Sequence, residues 1–496
     1  MIKMVLAIFD LSGIQKFIFS TNKLKDIIGA SAVVNNALFK NIPEMCNDVE
    51  NKWKTDCFDF SSDDESKIVY IGGGNALLMF KDEKVYNDFA RQLTEKVFLQ
   101  SGGAIRLFSA CIELDETTTL AENQKLLMEK LDSAKKAGGS ITPSLCLPIT
   151  AYDNNNYEPL VVRTINGKTV YASRSKFAKL DGLSASKDIF EDIVDTQKIS
   201  FMTDFDKVES SSNKNFVAII HIDGNTMGIK IREFVQKLGC DVKTALNEMK
   251  KLSVEIGSLY KNVLRKTIED MYSSLSGEIP FRPIVADGDD ITVILESSKA
   301  FEFTEKFMSY LHQEKLECFG GYTPTAAAGI AFVKTGFPFS TGYDIAEQCC
   351  KNAKKETLKR VEGKAASSMD YQMCYSNIHT TIDEFREENY LVDNLQLIRR
   401  PYIFDKENEY SYDKFKAVCE QLNSSIHKNI IARSKLKGLR NAYSISRLEA
   451  ESYGNYIDAH ANGNEERNIS GLLKSPFNNK AEALFFDYLD VMDVAW

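Results

Sequence analysis

The chain has 496 residues, a formal net charge of −9, 44% apolar residues and 26% charged residues. This composition is ordinary for a globular protein of about two to four domains, and the negative charge argues against a protein that coats nucleic acid without specificity. No apolar run approaches the roughly 20 residues that span a bilayer, and the ten scattered cysteines contain no C-x-x-C pair, so we expect a cytoplasmic protein with free thiols, without a membrane segment or a zinc ribbon.

The first part of the chain alternates strands and helices. We predict, in order, a strand at 4–9 that ends at Asp10, a helix from 14 to about 42, two strands within 68–80 around Gly72-Gly73-Gly74-Asn75, a helix at 82–100, a strand at 105–113 and a helix at 117–137.

The same order returns after residue 215. We predict a strand at 216–222 that ends at Asp223, helical sequence after Gly228, a hairpin at 284–295 around Asp287-Gly288-Asp289-Asp290, a helix at 298–315, a strand at 325–333 and a helix at 341–360.

The spacing of these landmarks indicates a duplication. The strand-ending Asp and the turn are about 62 residues apart in the first copy and about 64 in the second, and an Ala-Lys-Lys triplet follows each turn after about 62 and 66 residues. Strand-helix alternation can also produce such a match by chance. We favour a repeat, and therefore an α+β protein with two ferredoxin-like domains.

The remaining segments complete the domain prediction. We predict a first ferredoxin-like domain at 1–140, an insert and helical linker at 141–212, a second ferredoxin-like domain at 213–376 and a helical C-terminal domain at 377–496. The last domain contains a basic helix from Lys428 to Arg440. That helix is either a solvated face, which we slightly favour, or a contact surface for RNA or an acidic partner.

The second copy carries the candidate catalytic residues. Asp223, Asp289 and Asp290 can converge from neighbouring strands, and two Mg²⁺ or Mn²⁺ ions held by carboxylates can clamp the attacking and leaving oxygens of a phosphoryl transfer. Backbone amides after Asp223 can bind phosphate at a helix N-terminus, and two lysines can neutralise the same phosphates. The predicted phosphate-binding residues are Gly224, Asn225, Thr226, Met227, Lys354 and Lys364. Taken alone, the acidic turn is more often an ordinary Asp-Gly hairpin.

The first copy lacks the paired acids of the second. Its turn ends in Asn75, and an amide is a poor substitute for a carboxylate around Mg²⁺. We expect this copy to bind a nucleotide through its small residues Gly73 and Gly74, rather than to catalyse. A structural pseudo-domain without a ligand is the alternative.

Several motifs resemble one family. Asp223-Gly-Asn, Asp287-Gly-Asp-Asp290, Ala328-Gly-Ile-Ala331 and Ala353-Lys354 with Gly363-Lys364 are similar to the catalytic palm of the polymerase-cyclase large subunit of type III CRISPR effector complexes. The stretch from Asp10 through Ser12 to Phe19 is similar to the first palm of that family.

The resemblance implies that the two ferredoxin-like domains are palms, of the nucleotide-cyclase type. It implies that they pack as an internal pseudo-dimer with nucleotides, usually ATP, and Mg²⁺ or Mn²⁺ between them. It implies that Asp223, Asp289 and Asp290 are metal ligands, that Lys354 contacts phosphate, and that Ser12, Gly73, Gly74 and Asn75 bind nucleotide. A 3′-hydroxyl would attack the α-phosphate of the next nucleotide, and the cyclic product would activate a downstream effector in anti-phage defence.

The sequence departs from the family pattern at several points. The first Gly of the Gly-Gly-Asp-Asp turn is Asp287, and Ala327 stands where the family often has Ser, which leaves the base preference open. The cysteine zinc module between the palms is missing, and none of the five histidines is followed by Asp, so we expect no N-terminal nuclease domain.

Three hypotheses for the function follow. The leading one is a Mg²⁺-dependent nucleotidyltransferase that converts NTPs, ATP foremost, into a cyclic di- or oligonucleotide. The second is an RNA-binding scaffold subunit of a CRISPR ribonucleoprotein, with other CRISPR subunits as partners and cyclisation conditional on target RNA. The third is a nucleotide sensor without turnover. The duplication predicts a monomer with an internal pseudo-dimer and leaves a homo-oligomer open.

Overall fold

The structure is a computed structural model. It describes residues 4–48, 50–55, 64–138, 149–154, 157–190, 193–194, 198–204, 215–239, 241–375, 381–460, 473 and 476–495. The predicted domain boundaries at 140/141, 212/213 and 376/377 involve residues outside these ranges.

The first palm is a four-stranded antiparallel sheet with the strand order β2-β3-β1-β4. Its elements are β1 Val5–Ser12, α1 Ile14–Phe19, α2 Leu24–Phe39, α3 Asn41–Met45, β2 Ser66–Gly72, β3 Asn75–Phe80, α4 Glu83–Gln100, β4 Arg106–Glu113 and α5 Leu120–Ala137. Helices α4 and α5 begin at side-chain caps, Asp82 and Thr119, whose oxygens accept backbone N–H bonds.

The continuous helix predicted for 14–42 is wrong, because the segment forms three helices. Between α1 and α2 the Thr21 hydroxyl donates to Asp26 Oδ2 over 3.0 Å and accepts the backbone N–H of Lys23. Lys23 itself is extended, with φ −97° and ψ 118°. The side chain of Thr21 therefore competes with helical backbone bonding at this point.

The segment between the palms adds a hairpin and a long helix. Its elements are β5 Val161–Ile165, β6 Lys168–Ala172, α6 Arg174–Ile189 and β7 Ile199–Phe201. Helix α6 crosses α2 so closely that a Cβ on Gly29 would lie 1.8 Å from the Lys179 carbonyl oxygen. The helix predicted as a linker is thus packed against the first palm, at a crossing that requires glycine.

The second palm repeats the sheet of the first. Its elements are β8 Phe216–Gly224, α7 Met227–Lys237, α8 Val242–Tyr272, β9 Gly277–Ile279, β10 Phe281–Asp287, β11 Asp290–Glu296, α9 Ala300–Leu311, β12 Ala326–Lys334, α10 Phe339–Arg360 and β13 Ser368–Cys374. The order β10-β11-β8-β12 corresponds to β2-β3-β1-β4, and β13 then adds in parallel to β12. The predicted duplication and the α+β fold class are confirmed.

The two palms pack on each other reciprocally. Helix α2 of the first palm contacts β10 of the second, and α8 of the second contacts β2 of the first. The Ser31 hydroxyl donates to the Ile284 carbonyl oxygen across this interface. The ring of Phe19 stacks on that of Tyr343 with centroids 3.9 Å apart. The arrangement is the internal pseudo-dimer that the sequence predicts.

The C-terminal part continues the core of the second palm. Its elements are α11 Ile382–Asn389, β14 Leu391–Val392, β15 Leu395–Gln396, β16 Tyr402–Ile403, α12 Tyr412–His427, α13 Arg433–Tyr443, α14 Arg447–Ala459 and α15 Phe486–Val491. Strand β16 pairs with β13, and the buried Arg400 guanidinium contacts Asp487 Oδ1 over 2.6 Å. This part is mainly helical, as predicted, and shares one apolar core with the second palm.

Two further expectations concern the whole chain. No helix in the described ranges combines the length and the apolar character needed to cross a membrane. The cysteines that the structure describes as free thiols are Cys46, Cys111, Cys318, Cys349, Cys350, Cys374 and Cys419.

Candidate active site

Asp223 is the penultimate residue of the central strand of the second palm and meets a lysine from the last palm helix. Strand β8 pairs with β12 through Gly224, with Asp223 opposite Ala327. Lys354 of α10 places its Nζ 2.5 Å from Asp223 Oδ2 and 2.8 Å from the Gly224 carbonyl oxygen. The lysine therefore supplies positive charge where the sequence predicts phosphate.

Asp289 lies at the tip of the acidic hairpin, directly against Gly224. A Cβ on Gly224 would come within 2.6 Å of Asp289 Oδ2 and 2.8 Å of Asp289 Cβ. Burial, followed by the charge of Asp223, raises the pKa of Asp289 to about 6. Glycine at 224 is thus required for the second carboxylate to approach the first.

Asp290 begins β11 and lies in the same charged environment. Its Oδ1 is 3.5 Å from His221 Nδ1, and this buried oxygen has no hydrogen-bond partner. Burial, followed by the charges of Asp223, Asp287 and Asp289, raises its pKa to about 8. Burial also lowers the pKa of His221. The structure therefore brings the three predicted acids together as one repelling cluster.

The residues that follow Asp223 form a tight turn into α7. Asn225 donates from Nδ2 to Thr325 Oγ1 and to the Ala366 carbonyl oxygen, so its side chain secures the turn. Thr226 has φ +60° at the N-cap of α7, and Met227 is buried. The backbone N–H of Asn225 also donates to the Thr325 carbonyl oxygen over 2.8 Å, so Asn225 has a structural role, and phosphate binding by this turn stays a prediction.

Lys364 lies beside this turn. It lines a cavity of about 60 Å³ together with Asn225, Thr226 and Lys354. Ligand pockets for whole small molecules usually measure about 300–1,000 Å³. Without rearrangement, this cavity has room only for a small group.

A cavity of about 630 Å³ lies between the palms. The first palm contributes Ser12, Gly73 and Gly74 to its wall, and the second palm contributes Asp287 and Asp290. Its volume is within the usual range for small-molecule sites. Four of the predicted site residues therefore line one cavity: Ser12, Gly73, Gly74 and Asp290. Asn75 is not among the lining residues, and its Nδ2 donates to the Gly73 carbonyl oxygen over 3.4 Å.

The first palm repeats the lysine–aspartate contact, which the sequence analysis missed. Lys135 Nζ is 2.8 Å from Asp10 Oδ2, matching Lys354 and Asp223 in the second palm. The repeated Ala-Lys-Lys triplet was the available signal, because it places a lysine at the same point of both copies. Lys261 of α8 also lines the large cavity and was not predicted.

The acidic cluster has the donor chemistry for a divalent cation. Carboxylate oxygens suit Mg²⁺ and Mn²⁺, and the unpartnered, buried Asp290 Oδ1 is an available ligand atom. Within the described ranges, no group of three or more His, Cys, Asp or Glu side chains is already arranged to hold a metal. The donor types fit, and the side chains would have to close around an ion.

The basic C-terminal helix differs from its prediction. Asn429 has φ +56° and follows α12, so helical structure resumes only at Arg433. The side chains of Arg433 and Lys437 contact Asp493, and Arg440 contacts Asp490. These cations are thus paired within the chain, which favours a structural role over an RNA surface.

The second palm is similar to one protein family. Residues 216–361 match the family model "Cas10/Cmr2, second palm domain". This match covers less than a third of the chain. No curated protein matches the sequence.

Solved structures extend the likeness to the whole fold. The Csm1–Csm4 cassette in complex with cA3 has a TM-score of 0.57 at 13% identity, over 100% of this chain and 70% of that one. The cassette in complex with cA4 has 0.54 at 12%, over 99% and 69%. Csm1 in T.onnurineus has 0.53 at 13%, over 100% and 70%. At these identities the likeness shows the fold, and the predicted resemblance to the large subunit of type III CRISPR complexes is confirmed.

Proposed function

We propose that this chain, with a second palm of the Cas10/Cmr2 kind and the fold of Csm1, is a nucleotidyltransferase that joins NTPs into a cyclic oligonucleotide. One observation carries the proposal. Asp223, Asp289 and Asp290 form a single electrostatic cluster, and Asp290 also lines the cavity of about 630 Å³ that both palms enclose. Two of the similar structures were solved with cA4 and cA3, which supports a cyclic product made from ATP.

The carboxylates of Asp223, Asp289 and Asp290 would hold one or two Mg²⁺ or Mn²⁺ ions. Such ions, when bound, activate the attacking 3′-oxygen and stabilise charge on the leaving pyrophosphate. Burial and the repulsion of neighbouring carboxylates raise the pKa values of Asp289 and Asp290. A cation would relieve that repulsion and favour the ionised carboxylates.

The other residues would bind and orient the nucleotides. Lys354, which contacts Asp223 in this structure, can shift its ammonium to an incoming phosphate and neutralise it. Ser12 and the glycines of the first palm would contact the second nucleotide from the opposite wall of the cavity. The reacting 3′-hydroxyl and α-phosphate would then lie between the palms.

The partner proposal follows from the same comparisons. The similar cassettes contain Csm1 together with Csm4, and we infer that this chain also takes a CRISPR subunit as partner. The messenger it makes would act on a downstream effector in anti-phage defence. The ion pairs of Arg433 and Lys437 with Asp493 do not favour the scaffold hypothesis. The experiment below still distinguishes it from the enzyme hypothesis.

The test is product analysis by mass spectrometry. The purified chain is incubated with each NTP and with mixtures, in Mg²⁺ or Mn²⁺, with and without RNA. The double variant Asp289→Ala/Asp290→Ala is expected to abolish phosphodiester products. The matched control Asp88→Ala/Asp270→Ala removes two exposed acids that do not line the cavity, and this variant is expected to retain the phosphodiester products.

Three results would contradict the proposal in different ways. If no mixture yields a product, the enzyme hypothesis is refuted. Thermal stabilisation of the protein by a nucleotide, without release of pyrophosphate, would indicate a nucleotide sensor. RNA that co-purifies with an inactive chain would favour the scaffold. Equal product from the wild type and the Asp289/Asp290 double variant would show that the acids are assigned wrongly.

A further inference from the structure

Asp287 reaches from the acidic hairpin of the second palm to the glycine turn of the first. Its Oδ2 accepts the backbone N–H of Gly74 over 3.3 Å. A backbone hydrogen bond from Gly73 reaches the same carboxylate. Gly73 and Gly74 have φ of +61° and +74°. Successive amides in such a turn form a concave site that suits an anion.

The three acids of the hairpin have different surroundings. Asp289 packs against Gly224 within its own palm, and Asp290 lies 3.5 Å from His221, also within its own palm. Asp287 is the member whose hydrogen bonds cross the interface. It therefore contributes to a different contact from the two acids that we assign to the metal.

The contact joins the two turns that correspond in the repeat. Asp287 and Asp290 are paired across the tip of the acidic hairpin, as Gly72 and Asn75 are paired across the glycine turn. Asp287 also lies beside Gly72, since a Cβ on Gly72 would be in ordinary van der Waals contact with Asp287 Oδ1, at 3.8 Å. Burial raises the pKa of Asp287, and the amides of Gly73 and Gly74 oppose this by stabilising the carboxylate.

We propose that Asp287 is a positioning residue that ties the acidic hairpin to the glycine turn of the first palm. Its carboxylate accepts the Gly73 and Gly74 amides and holds the hairpin tip at a fixed height over the cavity. The same N–H groups are thereby occupied, so a contact of these glycines with the second nucleotide would be made by their other backbone atoms. The effect on catalysis rests on the proposed function, whereas the contact itself does not.

The contact is tested by hydrogen–deuterium exchange of the full chain, read on peptides that span residues 69–78. Loss of the acceptor in Asp287→Ala should accelerate exchange at Gly74 about fivefold. Asp287→Asn keeps a carbonyl oxygen at this position and should restore protection. Ser446→Ala, which removes the distant N-cap of α14, is the control for a general loss of stability.

The catalytic role is tested by a split between kcat and KM. A misplaced hairpin should lower kcat of Asp287→Ala at least about tenfold with KM for the nucleotide unchanged, and Asp287→Asn should recover most of it. Unchanged exchange at Gly74 in Asp287→Ala overturns the contact. If Asp287→Asn behaves as Asp287→Ala in exchange, the acceptor role is overturned as well.

The two proposals fail separately. Faster exchange in Asp287→Ala, together with a wild type that makes no product, supports the contact and refutes the proposed function. Product from the wild type with identical kcat in Asp287→Ala refutes the positioning role and leaves the proposed function intact. A fall in KM in Asp287→Ala would show that phosphate competes for the glycine turn, and it would overturn positioning as the main role.

Discussion

Substitution of Gly224 by Ala should damage the acidic site through one added methyl group. Gly224 is the last residue of β8, and its Cβ would lie 2.6 Å from Asp289 Oδ2, 2.8 Å from Asp289 Cβ and 2.8 Å from Met227 Cγ. Real Cβ atoms do not approach other atoms so closely, and Asp289 Cβ is fixed by the backbone of a two-residue turn. The hairpin tip must therefore move.

The cost can be worked from this geometry. Overpacking a well-packed site typically costs about 1–3 kcal/mol, which corresponds to a fall in melting temperature of about 2–12 °C for a domain of this size. A displacement of Asp289 near 1 Å should lower the rate of product formation by about 100-fold. Gly224 does not have a positive φ, so a loss of stability or rate in Gly224→Ala would result from the steric clash and not from backbone strain.

Gly228 provides a matched control, only four residues away. A Cβ on Gly228 meets no atom within 4 Å, and this residue is in the first turn of α7. Gly228→Ala should be neutral or raise stability by up to about 1 kcal/mol, with the product rate unchanged. Thermal unfolding and mass-spectrometric rates are measured on both variants. Equal stability and equal rates in the two variants would refute the reasoning.

Two further predictions concern lysines. Lys354→Ala should lower the rate of product formation about 100-fold, because it removes the ammonium beside Asp223. Lys355→Ala, which removes an exposed lysine of the same helix, should leave the rate unchanged. Initial rates of both variants measure this, and equal rates would contradict the prediction. Burial lowers the pKa of Lys179 from 10.5 to about 8, so its contribution to stability is full above pH 10.5 and is lost as the pH falls through 8. Relative to Lys179→Met, the wild-type free energy of unfolding should therefore rise by about 2 kcal/mol between about pH 7.5 and about pH 9.5, measured by urea unfolding; a flat difference would contradict the prediction.

Local patterns in the sequence predicted most of the fold. The periodicity of apolar residues gave the strands and helices of both palms, and equal spacing of Asp10 and Asp223 from their turns gave the duplication. The segment 14–42 was misread as one helix, although Ser20-Thr21-Asn22-Lys23 contains no apolar residue and the side-chain bonds of Thr21 interrupt the helical backbone there. Strand β13 was missed because its pairing with β12 joins residues that are about 40 apart.

For the candidate site, too, only some properties could be predicted from local sequence. Residue type and order identified Asp223, Asp289, Asp290 and Lys354, because paired acids in a turn and a late lysine carry their chemistry in local sequence. The electrostatic state of Asp289 and Asp290 could not be predicted in this way, since it depends on burial and on charges from β8, from the hairpin itself and from α10.

The sequence by itself therefore determined the elements, the repeat and the chemical identity of the acidic hairpin. The tertiary structure alone decided that Asp287 crosses to Gly74, that Lys135 repeats the contact of Lys354, and that the cations of α13 are paired. The physical reason is distance along the chain. Periodicity and turn chemistry act over a few residues, whereas the contact of Asp287 with Gly74 joins groups 213 residues apart and exists only when both palms are packed.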